Sequence, residues 1–420
     1  MKTTKFTVLI LFCILFINLN AQVDVKQKVV NQTNNETNKT IDQGIKKGVD
    51  GVKGLFKKKT TNTQTENKTT ENEKTANKTA ESQPSLVTYS KYDFIPGEKV
   101  IFYEDFAQDA IGDFPALWNT NGSAEVVTTN LFPGKWVRFS MQNAIWTDAL
   151  LNLPDNYTIE FDVIPVKGTE GRMAGYGFRL ISSINAKAFD YGAVPGKAGF
   201  YLECEYFGRL GYRTYINGEI GDGLGLSGSK EEKETYEQEN QKYHIALWAQ
   251  KARIRLYQNE TKLFDLPKAF PVTSIKMDRI RFEDGAAMVS NIRIAVGAPD
   301  TRNKLLTEGK LITYGIYFDV NKDQVKPESY GTLKDISTVL TENPGIRVKI
   351  IGHTDSDGDA AMNLDLSKRR AASVKNALSQ NFGIDASRVE TDGKGATQPV
   401  AANDSPVNKA LNRRVEFVKL

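Results

Sequence analysis

Near the carboxyl end an acid and a base stand at a spacing that suits a doubly charged ligand. The acid is Asp355, in the run Gly352-His353-Thr354-Asp355-Ser356-Asp357-Gly358, and the base is Arg370, on the early turns of a helix predicted over residues 364–380. A guanidinium grips a carboxylate through two parallel hydrogen bonds, while a carboxylate accepts from an ammonium, so the pair fits both ends of a zwitterionic amino acid. Each group also has a plainer use. Asp355 can tie down its own loop, Ser367 can cap a helix, and Arg370 can be a solvated charge of little energetic weight. The spacing of the whole set favours the ligand, whereas Arg413 and Arg414 read as structural ion-pair partners.

Other candidate chemistry is weaker. Asp355-Ser356-Asp357-Gly358-Asp359 alternates oxygens as a calcium loop does, but Ala360 stands where that loop needs glycine and Leu366 where it needs glutamate. Gly223-Leu224-Gly225-Leu226-Ser227-Gly228 spells a dinucleotide fingerprint, yet the next twelve residues offer no apolar face to a sheet, so it reads as a loop between strands. Glu160 with Asp162, and Glu203 with Glu205, put carboxylate pairs on one strand face, as sugar hydrolysis requires. They read here as outward-facing polar residues of half-buried strands. His244 and His353 are the only histidines, which excludes a histidine-rich metal site, and nothing supports a nucleophile. No catalytic residue, metal or cofactor is expected.

The elements that must position Asp355 and Arg370 alternate in type. Residues 312–318 read as a strand, 327–341 as a helix, 347–351 as a strand, 364–380 as a helix closed by Gly383, and 389–391 and 414–419 as strands. Such alternation predicts a two-layer α/β sandwich over residues 299–420. Upstream, residues 86–298 carry short alternating runs. In 157–163 the odd positions are apolar and the even ones polar, and 253–257 returns along 262–266 as a hairpin. Ten or more such strands without an intervening helix predict an antiparallel β-sandwich. An outer-membrane barrel is the rival, but Arg172, Lys187, Lys197 and Arg213 interrupt segments that would need an unbroken apolar face.

The first 85 residues differ in kind. Lys2 and Lys5 precede an apolar run and Ala21, the pattern of a secretory signal peptide over residues 1–21. Residues 22–85, rich in Asn, Thr and Lys, cannot bury enough apolar surface to order themselves and read as a disordered spacer. Within it Ile41, Ile45, Val49, Val52 and Phe56 recur at helical spacing ahead of three lysines, but Gly44, Gly48, Gly51 and Gly54 weaken the helix. Asn67-Lys68-Thr69 and Asn77-Lys78-Thr79 read as polar filler rather than glycosylation acceptors. Of the two cysteines, Cys13 falls in the signal, so the mature chain carries Cys204 alone and no internal disulfide. Across 420 residues the charge is +4 with no basic stripe, which disfavours nucleic acid.

At GHTDSDG (352–358), LSKRRAASV (366–374) and NRRVEF (412–417) the chain resembles the OmpA-like peptidoglycan-binding family, over residues 304–420. That resemblance implies a non-catalytic cell-envelope protein whose Asp355 and Arg370 hold diaminopimelate of the wall's stem peptide. It further implies that Asn363 and Asn321 line the same pocket and that Thr354 and Leu364 lie beside it. Residues 98–297 more diffusely resemble the concanavalin-A-like jelly-roll domains. The expected protein is exported to the periplasm or the outer-membrane-associated envelope and anchors it, or a partner, to the wall. Envelope proteins and a glycan on the sandwich are further partners left open, and a wall- or glycan-hydrolysing jelly roll is the alternative.

Overall fold

Period-two alternation dominates the first two thirds of the described chain, and the structure turns it into sheets. The computed structural model describes residues 92–420 except 141–142, 168–174, 186–194, 217–218, 221–224, 271–274 and 298–299. The predicted signal peptide and spacer lie outside the described residues. So do the start of the glycine-rich loop and the side chains of Arg172 and Lys187.

The strands are β1 (Lys99–Glu104), β2 (Trp118–Thr120), β3 (Ala124–Thr128), β4 (Lys135–Phe139), β5 (Ala144–Thr147), β6 (Asn156–Pro165), β7 (Tyr176–Ser182) and β8 (Ala198–Cys204). There follow β9 (Leu210–Ile216), β10 (Glu219–Ile220), β11 (Ser227–Ser229), β12 (Tyr243–Gln250), β13 (Arg253–Gln258), β14 (Thr261–Leu266), β15 (Arg279–Glu283) and β16 (Ala287–Val296). One sheet runs β14-β13-β12-β6-β16-β4-β3 with β1 also on β16, and the other runs β10-β9-β8-β7-β15-β5-β2 with β11 also on β9. Facing apolar positions of the two sheets fill one core. Phe161 of β6, Phe178 of β7 and Phe282 of β15 meet at ring-centre distances of 4.9–5.4 Å and are fully buried. An apolar interior between two sheets is the inverse of a membrane barrel with its polar lumen. Cys204 is buried in this core, where burial first of all pushes its thiol up, so it offers no surface sulfur for a partner chain.

The C-terminal part contains α1 (Thr301–Leu306), β17 (Lys310–Thr313), α2 (Tyr330–Glu342), β18 (Val348–His353), α3 (Ala360–Phe382), β19 (Val389–Gly395), α4 (Pro406–Asn412) and β20 (Val415–Lys419). Its sheet runs β17-β20-β18-β19, with β18 and β19 parallel and the other pairs antiparallel. The expected α/β alternation holds, with local corrections. The strand expected over 312–318 ends at Thr313, and Phe318 keeps only an isolated bridge to Val325. Gly315 explains the exit. A Cβ there would stand 2.3 Å from Thr332 Oγ1 and 2.7 Å from Pro96, so the chain leaves the sheet to pass between α2 and the segment before β1. Ser367 caps nothing. Asp359 does, accepting from the Met362 amide, and Ser367 lies inside α3, accepting from the Gly395 amide at 2.9 Å. The helix closes as expected on Gly383, at φ 70°.

Helix α3 can lie close on the sheet because small residues face it. A Cβ at Gly352 would come within 2.3 Å of the Ser367 carbonyl oxygen, and one at Gly393 within 2.4 Å of the Lys368 nitrogen. The same device operates between the two parts of the chain. Gly331 of α2 lets the helix touch the Phe94 backbone, while Tyr92 and Phe94 pack on Ala246 and Tyr257 of the first sheet. The described residues thus belong to one compact unit. Gly352→Ala should lower stability by about 1–3 kcal/mol through overpacking against α3. Denaturant unfolding checks this, and an unchanged midpoint would show that the helix does not lie so close.

Candidate functional site

Asp355 follows β18 in the loop that ends at the cap of α3, and it is nearly buried. Its Oδ1 accepts from the Asp357 amide at 3.1 Å, and Oδ2 accepts from Arg413 Nη1 at 2.7 Å. Arg370, on α3, donates from Nε to the Lys322 carbonyl at 2.9 Å and from Nη2 to the Asp319 carbonyl at 3.2 Å, with its plane 4.8 Å from the Phe318 ring. No hydrogen bond joins Asp355 to Arg370. They line one cavity of about 530 Å³ and face it with Thr354, Asn363 and Asn321, a size within the range of small-ligand sites. Burial lowers the Arg370 guanidinium to about 10, against the pull of Asp355 and with the added push of Arg413.

The neighbours fix this geometry. Thr354 donates to the Asp355 carbonyl, Asn363 donates to the Asp357 carbonyl, and Asn321 sits in the left-handed region at φ 57°, turning the loop that Arg370 holds. Buried Asn412 accepts from the Val400 and Ala401 amides and donates to Asn403, which in turn accepts from the Ser356 amide. Leu364 corrects the expectation. It is exposed on the first turns of α3 and does not line the cavity, whereas Leu366 does. The carboxylates of the calcium-like loop are each engaged: Asp355 with Arg413, Asp357 with Lys409 at 2.9 Å, and Asp359 as the helix cap. The two arginines read as ion-pair partners are ion-paired, Arg414 with Glu416 and Arg413 with Asp355 itself.

The opposite wall of the cavity comes from the β-sandwich. Tyr103, Asp105, Glu160, Asp162, Lys242 and Asn291 all line it. Glu160 and Asp162 do point outward from the sandwich core, as their alternation predicts. They are nonetheless buried, at 1% and 2% exposure, because the C-terminal part covers that face. Buried carboxylates must be paired, and these are. Glu160 accepts from Arg293 Nη1 at 2.6 Å and from the Tyr317 hydroxyl at 2.6 Å. Asp162 stands 2.8 Å from His244 Nδ1 and accepts from Asn291 Nδ2 at 2.9 Å. A register shift between Ser290 and Arg293 of β16, with Asn291 at φ 52°, aims Asn291 and Arg293 to this side. Arg413 straddles the junction: its Nη2 is 3.9 Å from Asp105 Oδ2, and its plane lies 4.7 Å from the Tyr103 ring.

These groups shift one another. Burial works against charge on His244, but hydrogen bonds to Asp162 and Glu160 outweigh it and lift the imidazole to about 9. Burial likewise opposes ionised Glu160 and Asp162, yet Arg293 and His244 hold the first, and His244, Lys326 and Lys242 the second, below the usual carboxylate range. Neither carboxyl keeps a proton near neutrality for general-acid work. The other suggested pair is tied to cations too, Glu203 to Arg213 and Glu205 to Arg209.

His244, raised in the folded state, contributes stability that is complete below its unfolded value of about 6.5 and is lost as pH rises through about 9. The depressed carboxylates contribute stability lost on the acid side. Thermal unfolding from pH 6 to pH 10 should therefore show an alkaline loss on the order of 3 kcal/mol. His244→Gln should flatten that limb, and an identical limb in the variant would place the titration elsewhere.

The chain is similar in part to several known proteins. The OmpA family profile matches residues 317–413. Outer membrane porin F of Pseudomonas fluorescens is 43% identical over 101 residues, which are 24% of this chain and 31% of the porin, so the chain spans less than a third of that relative. The peptidoglycan-associated lipoprotein from Burkholderia pseudomallei is 28% identical, with a TM-score of 0.25, over 29% of this chain and 100% of that one. The carbohydrate binding module CBM66 from Bacillus subtilis is 19% identical, with a TM-score of 0.30, over 43% of this chain and 96% of that one. Residues 317–413 of this chain are an OmpA family domain.

Proposed function

We propose that the chain is a non-catalytic envelope protein that binds peptidoglycan noncovalently and ties the envelope, or a partner, to the cell wall. The observation that carries this reading is that Asp355 and Arg370, within an OmpA family domain, face one cavity of about 530 Å³. Diaminopimelate in a stem peptide offers a free ammonium and a free carboxylate at its outer end. The ammonium meets Asp355, where Arg413 now sits, and the carboxylate meets Arg370, whose backbone partners at Asp319 and Lys322 keep the fork in place. Asn363, Asn321 and Thr354 complete the wall on that side.

The rest of the chain fits an exported anchor. Residues 1–21 act as the export signal, 22–85 as the Asn/Thr/Lys-rich spacer, 86–298 as a jelly-roll-like sandwich and 299–420 as the wall-binding domain, which assigns the protein to the periplasm or the outer membrane. Among the described residues no helix is long and apolar enough to cross a membrane. A sugar-cleaving sandwich is the rival reading. The carboxylates proposed for it are held ionised by Arg293 and His244, or tied to Arg213 and Arg209, which favours anchoring.

A pull-down of the whole chain on purified sacculi tests the anchor. Retention should fall at least about tenfold in Asp355→Ala and in Arg370→Ala, the scale of losing one partner of a desolvated charge contact. Retention unchanged in both would remove the pocket from the reading.

A further inference from the structure

One wall of the cavity belongs to the sandwich, and it is rich in charge. Lys326 and Arg414 are neutralised by Glu328 and Glu416, and Asp357 by Lys409. The remaining lining sets six cations (Lys135, Lys242, His244, Arg293, Arg370, Arg413) against five carboxylates, which suits an anion. Most of the six are satisfied. Lys135 donates to the Ala107 and Asp109 carbonyls, Arg293 to Glu160, and Arg370 to two carbonyls.

Lys242 differs. Its Nζ lies 3.8 Å from Asp162 Oδ2 and 3.9 Å from Asp319 Oδ1, beyond hydrogen-bond reach of either, and 5.9 Å from the Phe132 ring centre. Both carboxylates already have other donors: Asn291 serves Asp162, and Lys322 serves Asp319 at 3.1 Å. An ammonium with three donors therefore faces the cavity with room for a further acceptor. It also stands beside the first anion subsite, because Arg370 grips the Asp319 backbone while Lys242 approaches the Asp319 side chain.

We propose that Lys242 is a second anion subsite, contributed by the sandwich, which takes the free carboxylate of the glutamate preceding diaminopimelate in a stem peptide. This rests on the reading that Asp355 and Arg370 hold the diaminopimelate. The division of labour follows from the two walls: the C-terminal domain reads the zwitterionic end, and the sandwich reads the acidic residue behind it. Stem peptides whose glutamate is amidated lack that carboxylate, and the site selects against them.

Calorimetric titration of the whole chain tests this with three probes: meso-diaminopimelate, N-acetyl-alanyl-γ-glutamyl-diaminopimelate and its isoglutaminyl counterpart. The wild type should prefer the glutamyl over the isoglutaminyl peptide on the order of tenfold, the scale of one charge-assisted hydrogen bond. Lys242→Ala should erase the preference without changing the affinity for diaminopimelate, and Lys242→Arg should keep most of it. A wild type that does not discriminate, or a preference that survives in Lys242→Ala, overturns the second subsite while diaminopimelate binding still upholds Asp355 and Arg370. Failure of the wild type to bind diaminopimelate overturns the underlying reading instead.

Discussion

Glu160 is a carboxylate taken out of water, and such a group is tolerated only when counter-charge and hydrogen bonds replace its hydration. It receives them from both sides of a junction: Arg293 lies on its own sheet, and Tyr317 belongs to the OmpA family domain. One rung along, Asp162 is paired within its own sheet, where His244 is its cross-strand partner. Removing one member would strand a buried charge, so the polar face of the sandwich and the domain that covers it are held together by their charges. Aromatic packing at Tyr92, Phe94 and Tyr257 supplies the apolar part of the same junction.

That junction shapes the cavity. Asp355 and Arg370 face a cavity whose other wall is the sandwich, and Arg413 links the two walls through Asp355, Asp105 and the Tyr103 ring. Arg413 also supplies a resident cation for Asp355, so an incoming ammonium competes with a guanidinium already in place. A ligand matched at one group only gains little from that exchange. One that also satisfies Arg370 and Lys242 gains charge-assisted contacts that offset it.

Much of this was legible in the chain. The alternation in 157–163, the hairpin of 253–266 and the glycine after α3 follow local rules that tertiary packing did not override. The residues that the motif around Asp355 singles out, with Asn321, Asn363 and Thr354, line one cavity. What escaped was anything set by the junction. Alternation assigns Glu160 to the outward face but is silent on what covers that face. Nothing local announces Lys242 or Arg293 as neighbours of a loop far along the chain. Helix α4 was missed for its shortness, although Ser405 followed by Pro406 is a readable start.

The most direct measurement is a crystal structure of the chain bound to N-acetyl-alanyl-γ-glutamyl-diaminopimelate. The account predicts one peptide in the junction cavity, its ammonium on Asp355 with Arg413 displaced, its terminal carboxylate on Arg370 and its glutamyl carboxylate within hydrogen-bond reach of Lys242. A peptide bound elsewhere, or held by the C-terminal domain with the sandwich swung away, would contradict it.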